Sequence, residues 1–412
     1  MQLKFLIRPL NRYNYFISQR FVTQTHSPPT GAKQQQIPTS SLKRREKDDS
    51  SKSKLKMQGW QIHSYGDVDE LLLTDKLKVP QLKQANECLV RVTTTTVNPI
   101  DVAMLNGYGA TTLNTMRCQG NSIEFPLTLG REFCGILVQK GMNVDIPLGQ
   151  RVWGVVPVQN TNGTHAEYVA VTNHCLSAAP KNLSDEEAAS VLYAGLTAWS
   201  GLYVTANIGG VCGALSADGG GAQKRILVLG GSGSVGSLAI QMLKAQGTQV
   251  LATCSENATE LVKSLGCDIV IDYNNSDEMA KLRSFAPYDV VLDCSGQGPQ
   301  GAELLNFNYK QYVTFSSPLL KNIDSSGLGL GLLKNVRNIL ETNFKSVSKQ
   351  NGLVKWGFFS PAAQGIEFLK KLAEREKIIP LIDSSFEFEQ LPAAFEKVRN
   401  GHLRGKVVVN ID

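Results

Sequence analysis

Residues 225–236 read Arg-Ile-Leu-Val-Leu-Gly-Gly-Ser-Gly-Ser-Val-Gly, and no other stretch restricts the possible folds as tightly. Ile226 to Leu229 are apolar throughout, as expected of a short parallel strand buried on both faces. Gly230, Gly231, Gly233 and Gly236 follow, and residues 237–244 then carry a helical pattern. A strand, a glycine turn and a helix in that order make the front half of a dinucleotide-binding unit. Gly231, Gly233 and Gly236 satisfy G-x-G-x-x-G, while Gly230, Gly233 and Gly236 satisfy the looser G-x-x-G-x-x-G. A missing side chain at Gly233 lets the backbone approach a pyrophosphate, whose charge the helix N-terminus stabilises. Glycines alone would equally describe a ligand-free tight turn. The flanking strand and helix decide for a nucleotide.

The net charge of +6 divides unevenly along the 412 residues. Residues 1–56 hold twelve Lys and Arg against three acids (Glu46, Asp48, Asp49), a segment charge of +9, which leaves −3 for the remainder. The mildly acidic remainder gives no case for nucleic-acid binding. No acid precedes Glu46, and Lys4, Arg8, Arg12 and Arg20 alternate with Phe5, Leu6, Ile7, Leu10, Phe16 and Ile17. That Arg-rich amphipathic start has the character of a mitochondrial presequence, followed by a polar linker expected to be disordered. An untargeted basic tail is the alternative. Eight cysteines are scattered without a C-x-x-C pair, and five histidines form no H-x-x-x-H. Neither a zinc motif nor a disulfide frame is indicated, which suits a reducing compartment. No apolar run reaches the length of about 18 residues that a transmembrane helix needs.

Upstream of the glycine turn the chain reads as β-rich, with strands expected at 87–97, 133–138, 151–156 and 163–171. Ser184 with Glu187 predicts a capping box opening a helix through Leu192, and a second helix is expected over 195–202. Residues 207–222 are glycine-rich and read as a surface insertion. Beyond the turn, strands at 249–253, 268–271, 288–293 and 311–315 alternate with helical segments. That alternation predicts a doubly wound parallel sheet.

Asn98-Pro-Ile-Asp101, Asn106-Gly-Tyr108, Phe125-Pro-Leu-Thr-Leu-Gly-Arg-Glu-Phe-Cys-Gly135 and Ala194-Gly-Leu-Thr-Ala-Trp199 resemble the quinone oxidoreductase branch of the medium-chain dehydrogenase/reductase superfamily, as does the glycine turn. Gly107-Tyr-Gly-Ala110, Trp356-Gly-Phe-Phe359 and Gly401-His-Leu-Arg-Gly-Lys406 narrow the resemblance to its reticulon-interacting mitochondrial members, over residues 57–412. It implies an α/β chain of two domains: a GroES-like β-barrel over 57–190 and a Rossmann domain over 191–345, with a return to the barrel over 346–412. In zinc alcohol dehydrogenases of this superfamily a Cys and a His hold the catalytic metal. Asn98 and Arg131 stand in their places here, and Glu132 alone does not make a zinc site.

The resemblance places NADPH contacts at Ser232, Gly233, Ser234 and Val235, then at Ser255 and Tyr273. Further contacts fall on Cys294, Phe315, Gly357 and Phe359, and on His402, Leu403 and Arg404 near the C-terminus. Ser234 replaces the family's usual glycine, and Cys294 an asparagine. Serine at 255, where an NAD enzyme usually offers an acid, favours the 2′-phosphate of NADPH, with Glu256 next to it as the opposing charge. Tyr108 is the candidate proton donor or substrate positioner, with barrel packing as the alternative. The implied activity is hydride transfer from NADPH to a ubiquinone-type quinone in the mitochondrial matrix, in support of coenzyme Q biosynthesis. The alternatives are an enoyl-thioester reductase or a cofactor-gated protein that binds a reticulon or coenzyme Q biosynthesis proteins, peripheral to the outer membrane. Residues 405–410 read as a strand, either at a dimer seam or inside the barrel.

Overall fold

Two antiparallel strands open the structure, a computed structural model that describes residues 55–117, 124–210 and 223–411. These are β1, Lys56–Gln61, and β2, Leu72–Lys78. β3 (Glu87–Val97), β4 (Glu132–Lys140), β5 (Arg151–Val155), β6 (Tyr168–Thr172) and β7 (Leu176–Ala178) build most of a seven-stranded sheet. β3 is its hub. β4 pairs with most of its length, while β6 pairs with its first half and a strand from the far C-terminus with its second.

The glycine turn belongs to a second sheet, entirely parallel. Its strands are β8 (Arg225–Leu229), β9 (Gln249–Cys254), β10 (Ile269–Asp272), β11 (Tyr288–Asp293), β12 (Tyr309–Thr314) and β13 (Leu353–Trp356). They lie in the order β10-β9-β8-β11-β12-β13, so the chain reverses its direction of travel across the sheet beside β8. That reversal opens the crevice in which doubly wound sheets bind nucleotides. The unbroken apolar run in β8 follows from burial on both faces. Ile226 and Val228 pack in one layer with Leu238, Ile240 and Met242, while Leu227 and Leu229 join Tyr288, Tyr309 and Tyr312 in the other. Each such buried side chain contributes about 1.5–3 kcal/mol.

β14 (Ile382–Glu387), the helix Leu391–Asn400 and β15 (Lys406–Asn410) return the chain to the first sheet. β15 pairs with β3 on one side and β14 on the other, so the 405–410 segment runs inside the sheet and offers no open edge.

Three sequence expectations need adjustment. β13 lies beyond residue 345, and Ile366, Phe368, Leu369 and Leu372 of the helix Ala363–Glu374 join the core that holds Ile226 and Val228. The return to the barrel therefore begins near β14 rather than at 346. In the expected strand 163–171 only the part from Tyr168 is a strand, because Thr164 and His165 turn their polar groups into the interior. The helix opened by Ser184 ends at Ala189, and a new one, Leu192–Trp199, continues into a wide π turn over Ser200–Thr205. The capping box itself is present, with Ser184 Oγ accepting Glu187 N–H and the Glu187 carboxylate accepting Ser184 N–H. The expected presequence and residues 211–222 of the expected insertion lie outside the described residues. Among the described residues, no helix is long and apolar enough to cross a membrane.

Candidate active site

Three of the four glycines of the turn do three different things. Gly230 has φ +81°, a conformation that side-chain-bearing residues rarely adopt. A Cβ on Gly236 would lie 2.2 Å from the Gly230 carbonyl oxygen, so only glycine lets the helix Ser234–Ala245 close onto the turn. At Gly233 a Cβ would meet nothing nearer than 3.7 Å, which leaves that position open toward the crevice. This is a cradle with room for a pyrophosphate at a helix N-terminus. Ser234, at the first helical position, donates from Oγ to the Gly405 carbonyl at 2.6 Å. The serine that departs from the family pattern thus ties the turn to the C-terminal segment. Ser232 lies within the turn, and Val235 packs partly buried against the core beneath it.

The remaining cofactor candidates follow the carboxyl ends of the parallel strands. Ser255 follows β9 and donates to Asn257 at 2.7 Å, and the exposed Tyr273 follows β10 with its N–H on the Cys254 carbonyl at 3.0 Å. Cys294 follows β11, and burial pushes its thiol far above the usual range. Phe315 follows β12 and packs against Gly201 and Gly357, where added Cβ atoms would sit 2.5 and 2.9 Å from its ring. Phe359 stacks on Tyr193 with ring centroids 4.1 Å apart and planes 15° from parallel. His402, at φ +56°, and Arg404 are exposed on the loop before β15, and Leu403 packs beneath them on the barrel core. Arg404 N–H donates to Asp383 at 2.9 Å, leaving the guanidinium free to reach β9. Burial raises the Cys254 thiol, and among the smaller effects Arg404 lowers it, so the arginine's charge is felt one residue from Ser255.

Across the crevice, the barrel presents a buried charged cluster. Glu132 Oε1 accepts the Lys406 ammonium at 2.5 Å, the Thr96 hydroxyl at 2.6 Å and the Asn98 amide at 3.1 Å. Its Oε2 accepts Tyr193 N–H at 2.7 Å, and Lys406 also donates to Asn98 Oδ1. Arg131 is buried too, donating to the carbonyls of Pro157 and Asn160, with its Nε 3.8 Å from Asp101 Oδ1. Burial lowers its guanidinium, partly offset by Asp101. A divalent cation needs several anionic or imidazole donors converging on open space. Here an amide, two buried cations and two carboxylates already engaged by donors make up the cluster, and that donor set does not fit a metal. Among the described residues no group of three His, Cys, Asp or Glu side chains could hold one.

Tyr108 lies between Gly107 (φ +82°) and Gly109 (φ +77°), in the loop that joins the helices Pro99–Leu105 and Ala110–Arg117. Burial, and then the Asp324 carboxylate, raise its phenol above the ordinary value. Tyr193 was missed by reading the sequence. Burial raises its phenol well out of range, and the charges of Asp101, Arg131 and Glu132 are felt there together with Tyr108. Tyr193 thus stands within electrostatic reach of Tyr108 and carries the stacked Phe359 ring. No local sequence signal could have found Tyr193 or Lys406. Their importance comes from the Glu132 carboxylate, 61 and 274 residues away.

Residues 84–181 match the alcohol dehydrogenase GroES-like domain, and residues 265–409 match a family described as zinc-binding dehydrogenase. The mitochondrial NAD(P)H oxidoreductase RTN4IP1 of Drosophila melanogaster is 66% identical over 362 residues, 88% of each chain. The mitochondrial reticulon-4-interacting protein 1 of Caenorhabditis elegans is 33% identical, covering 82% of this chain and 91% of its own. In fold, the chain is similar to the quinone oxidoreductase of Coxiella burnetii, with a TM-score of 0.65, 24% identity, and 87% and 100% of the two chains covered. With both domains matched and the first relative two-thirds identical, the chain belongs to the mitochondrial NAD(P)H oxidoreductase family of reticulon-4-interacting protein 1, within the medium-chain dehydrogenase/reductase superfamily.

Proposed function

We propose that this chain transfers hydride from NADPH to a ubiquinone-type quinone without zinc, in the mitochondrial matrix and in support of coenzyme Q biosynthesis. The observation that carries the reading is the Lys406 ammonium on Glu132, in the wall where a metal dehydrogenase holds its ion. A buried ammonium already committed to a carboxylate is poorly placed to polarise a carbonyl, so alcohol oxidation is disfavoured. An acceptor that delocalises charge in its own ring needs no such help, and alignment and exclusion of water suffice.

The cofactor, when bound, supplies the hydride. The chain supplies the rest. Gly233 leaves room for the pyrophosphate, and Ser255 with Arg404 forms a 2′-phosphate site in which a guanidinium fork matches the phosphate oxygens. The Tyr193–Phe359 stack closes one wall against water. Tyr108, protonated at neutral pH, holds a proton for the reduced ring.

The test is NADPH oxidation with a short-chain ubiquinone as acceptor. Arg404→Ala should weaken NADPH by about 10–100-fold, the loss of a charge-assisted hydrogen bond, and leave NADH nearly unchanged. Equal affinity of the wild type for the two dinucleotides would overturn the NADPH preference. Tight NADPH binding with crotonyl-thioester turnover, or with none at all, would instead favour a thioester reductase or a cofactor-gated binding protein.

A further inference from the structure

The helix after β12, Leu319–Gln350, is broken at Gly327 (φ 74°, ψ 170°), and its first eight residues fold back on the rest. Buried Asn335 pins this arm, accepting Asn322 Nδ2 at 2.7 Å and donating to the Leu319 carbonyl at 3.0 Å. Gly331 permits the close approach, since a Cβ there would meet Ile323 Cα at 2.6 Å. The arm is rooted four residues after Phe315, a cofactor candidate, and its far end lies on the barrel. Asp324 Oδ2 accepts Gly109 N–H at 2.7 Å, and Oδ1 accepts Thr111 N–H at 3.0 Å. Leu320 approaches Gly109 as well, its Cδ1 3.1 Å from where a Cβ would stand.

The loop so held has two positive-φ glycines around Tyr108 and is intrinsically pliant. We propose that Asp324 is a positioning residue, reaching from the dinucleotide-binding domain to fix the Gly107–Gly109 loop so that the Tyr108 phenol is held at the acceptor. The proposal rests on the reading of Tyr108 as proton donor given above. The carboxylate does two jobs at once. Its two hydrogen bonds set the loop's geometry, and its charge adds to burial in raising the phenol above its ordinary value. Because the arm leaves the sheet four residues after Phe315, one short segment joins that strand end to the Tyr108 loop.

The experiment uses the full chain with Asp324→Ala, Asp324→Asn and Tyr108→Phe, alone and combined. Amide hydrogen exchange is followed over residues 107–117, and NADPH oxidation with a short-chain ubiquinone is followed in parallel. In Asp324→Ala the Gly109 and Thr111 amides should exchange about 10–100-fold faster, as two charge-assisted hydrogen bonds are lost. The kcat should fall by about 10–100-fold from misplacement of the donor, with KM for NADPH within about twofold. Asp324→Asn, which keeps one oxygen acceptor, should fall between Asp324→Ala and wild type. In the Tyr108→Phe background, Asp324→Ala should cost less than about twofold more, because the group being positioned is gone. Unchanged exchange, or a full additive loss in that background, would overturn the proposal. Faster exchange with no quinone turnover even in wild type would support the anchoring and sink the quinone reading instead.

Discussion

Removing the Lys406 ammonium while keeping its partner is the sharpest perturbation of the barrel wall. Lys406→Met conserves the aliphatic stem and leaves Glu132, which is 0% exposed, as a buried carboxylate without its cation. Breaking a buried pair from one side costs about 3–5 kcal/mol. Three donors remain on Glu132, from Thr96, Asn98 and the Tyr193 N–H, which moves the expectation to the lower end, about 3 kcal/mol. At roughly 2–4 °C per kcal/mol for a domain of this size, the melting temperature should fall by about 6–12 °C. Adding Glu132→Gln removes the stranded charge, while the amide oxygen still accepts from Thr96 and Asn98. The double variant should therefore be more stable than Lys406→Met alone, with a coupling energy of about 2 kcal/mol from urea unfolding at matched m values. A Lys406→Met cost below about 1 kcal/mol, or additive single effects, would refute the view that ammonium and carboxylate form one buried unit.

Gly236→Ala drives a Cβ to within 2.2 Å of backbone in the turn, so it should destabilise by about 1–3 kcal/mol and abolish measurable NADPH binding in a fluorescence titration. Gly233→Ala meets nothing within 3.7 Å, so its melting temperature should stay near wild type while NADPH affinity falls, separating the cradle from its packing. Burial lowers His165, which is fully enclosed, contacts the Thr96 carbonyl through Nε2 at 3.1 Å and stands edge-on to Phe395. Below its ordinary value of 6.5 the unfolded chain binds a proton that the native chain resists. Stability should therefore drop as pH falls from 7 toward 5, and melting curves of His165→Gln should show a flatter dependence.

What the sequence made legible was what is local. The strand–glycine–helix unit, the Ser184–Glu187 box and the strands at 87–97 and 288–293 each follow from neighbours in the chain, and the sheets contain them. β13 escaped because four residues at a sheet edge, with Lys355 and Trp356 half-buried, carry no periodicity to read. Thr164 and His165 escaped because buried loop residues with internal hydrogen bonds look like strand by composition. At the site, the glycines were readable as a motif, whereas Tyr193, Lys406 and Asp324 have roles only through partners 61 to 274 residues away. A serine at 234 read as a departure from pattern, and its hydroxyl in fact joins the turn to Gly405.

The two sides of the crevice are linked by a small number of fixed contacts, and their chemistry argues for the type of acceptor. Ser234 on Gly405 ties the nucleotide turn to the strand that carries Lys406, and Asp324 ties the far side of the same sheet to the Tyr108 loop. The barrel wall is thus fixed by hydrogen bonds within the chain, which under the proposed function suits a reaction limited by alignment. Its positive charges are already spent inside the protein, on Glu132, on Asp101 and on backbone carbonyls. Beside them stand two phenols that burial holds in the protonated state, Tyr108 and Tyr193. Among the described residues the cations of this wall, Lys406 and Arg131, are both engaged, so neither is placed to draw electrons from an unconjugated carbonyl. Under the proposed function, such a wall suits an acceptor that brings its own electron sink, as a quinone ring does.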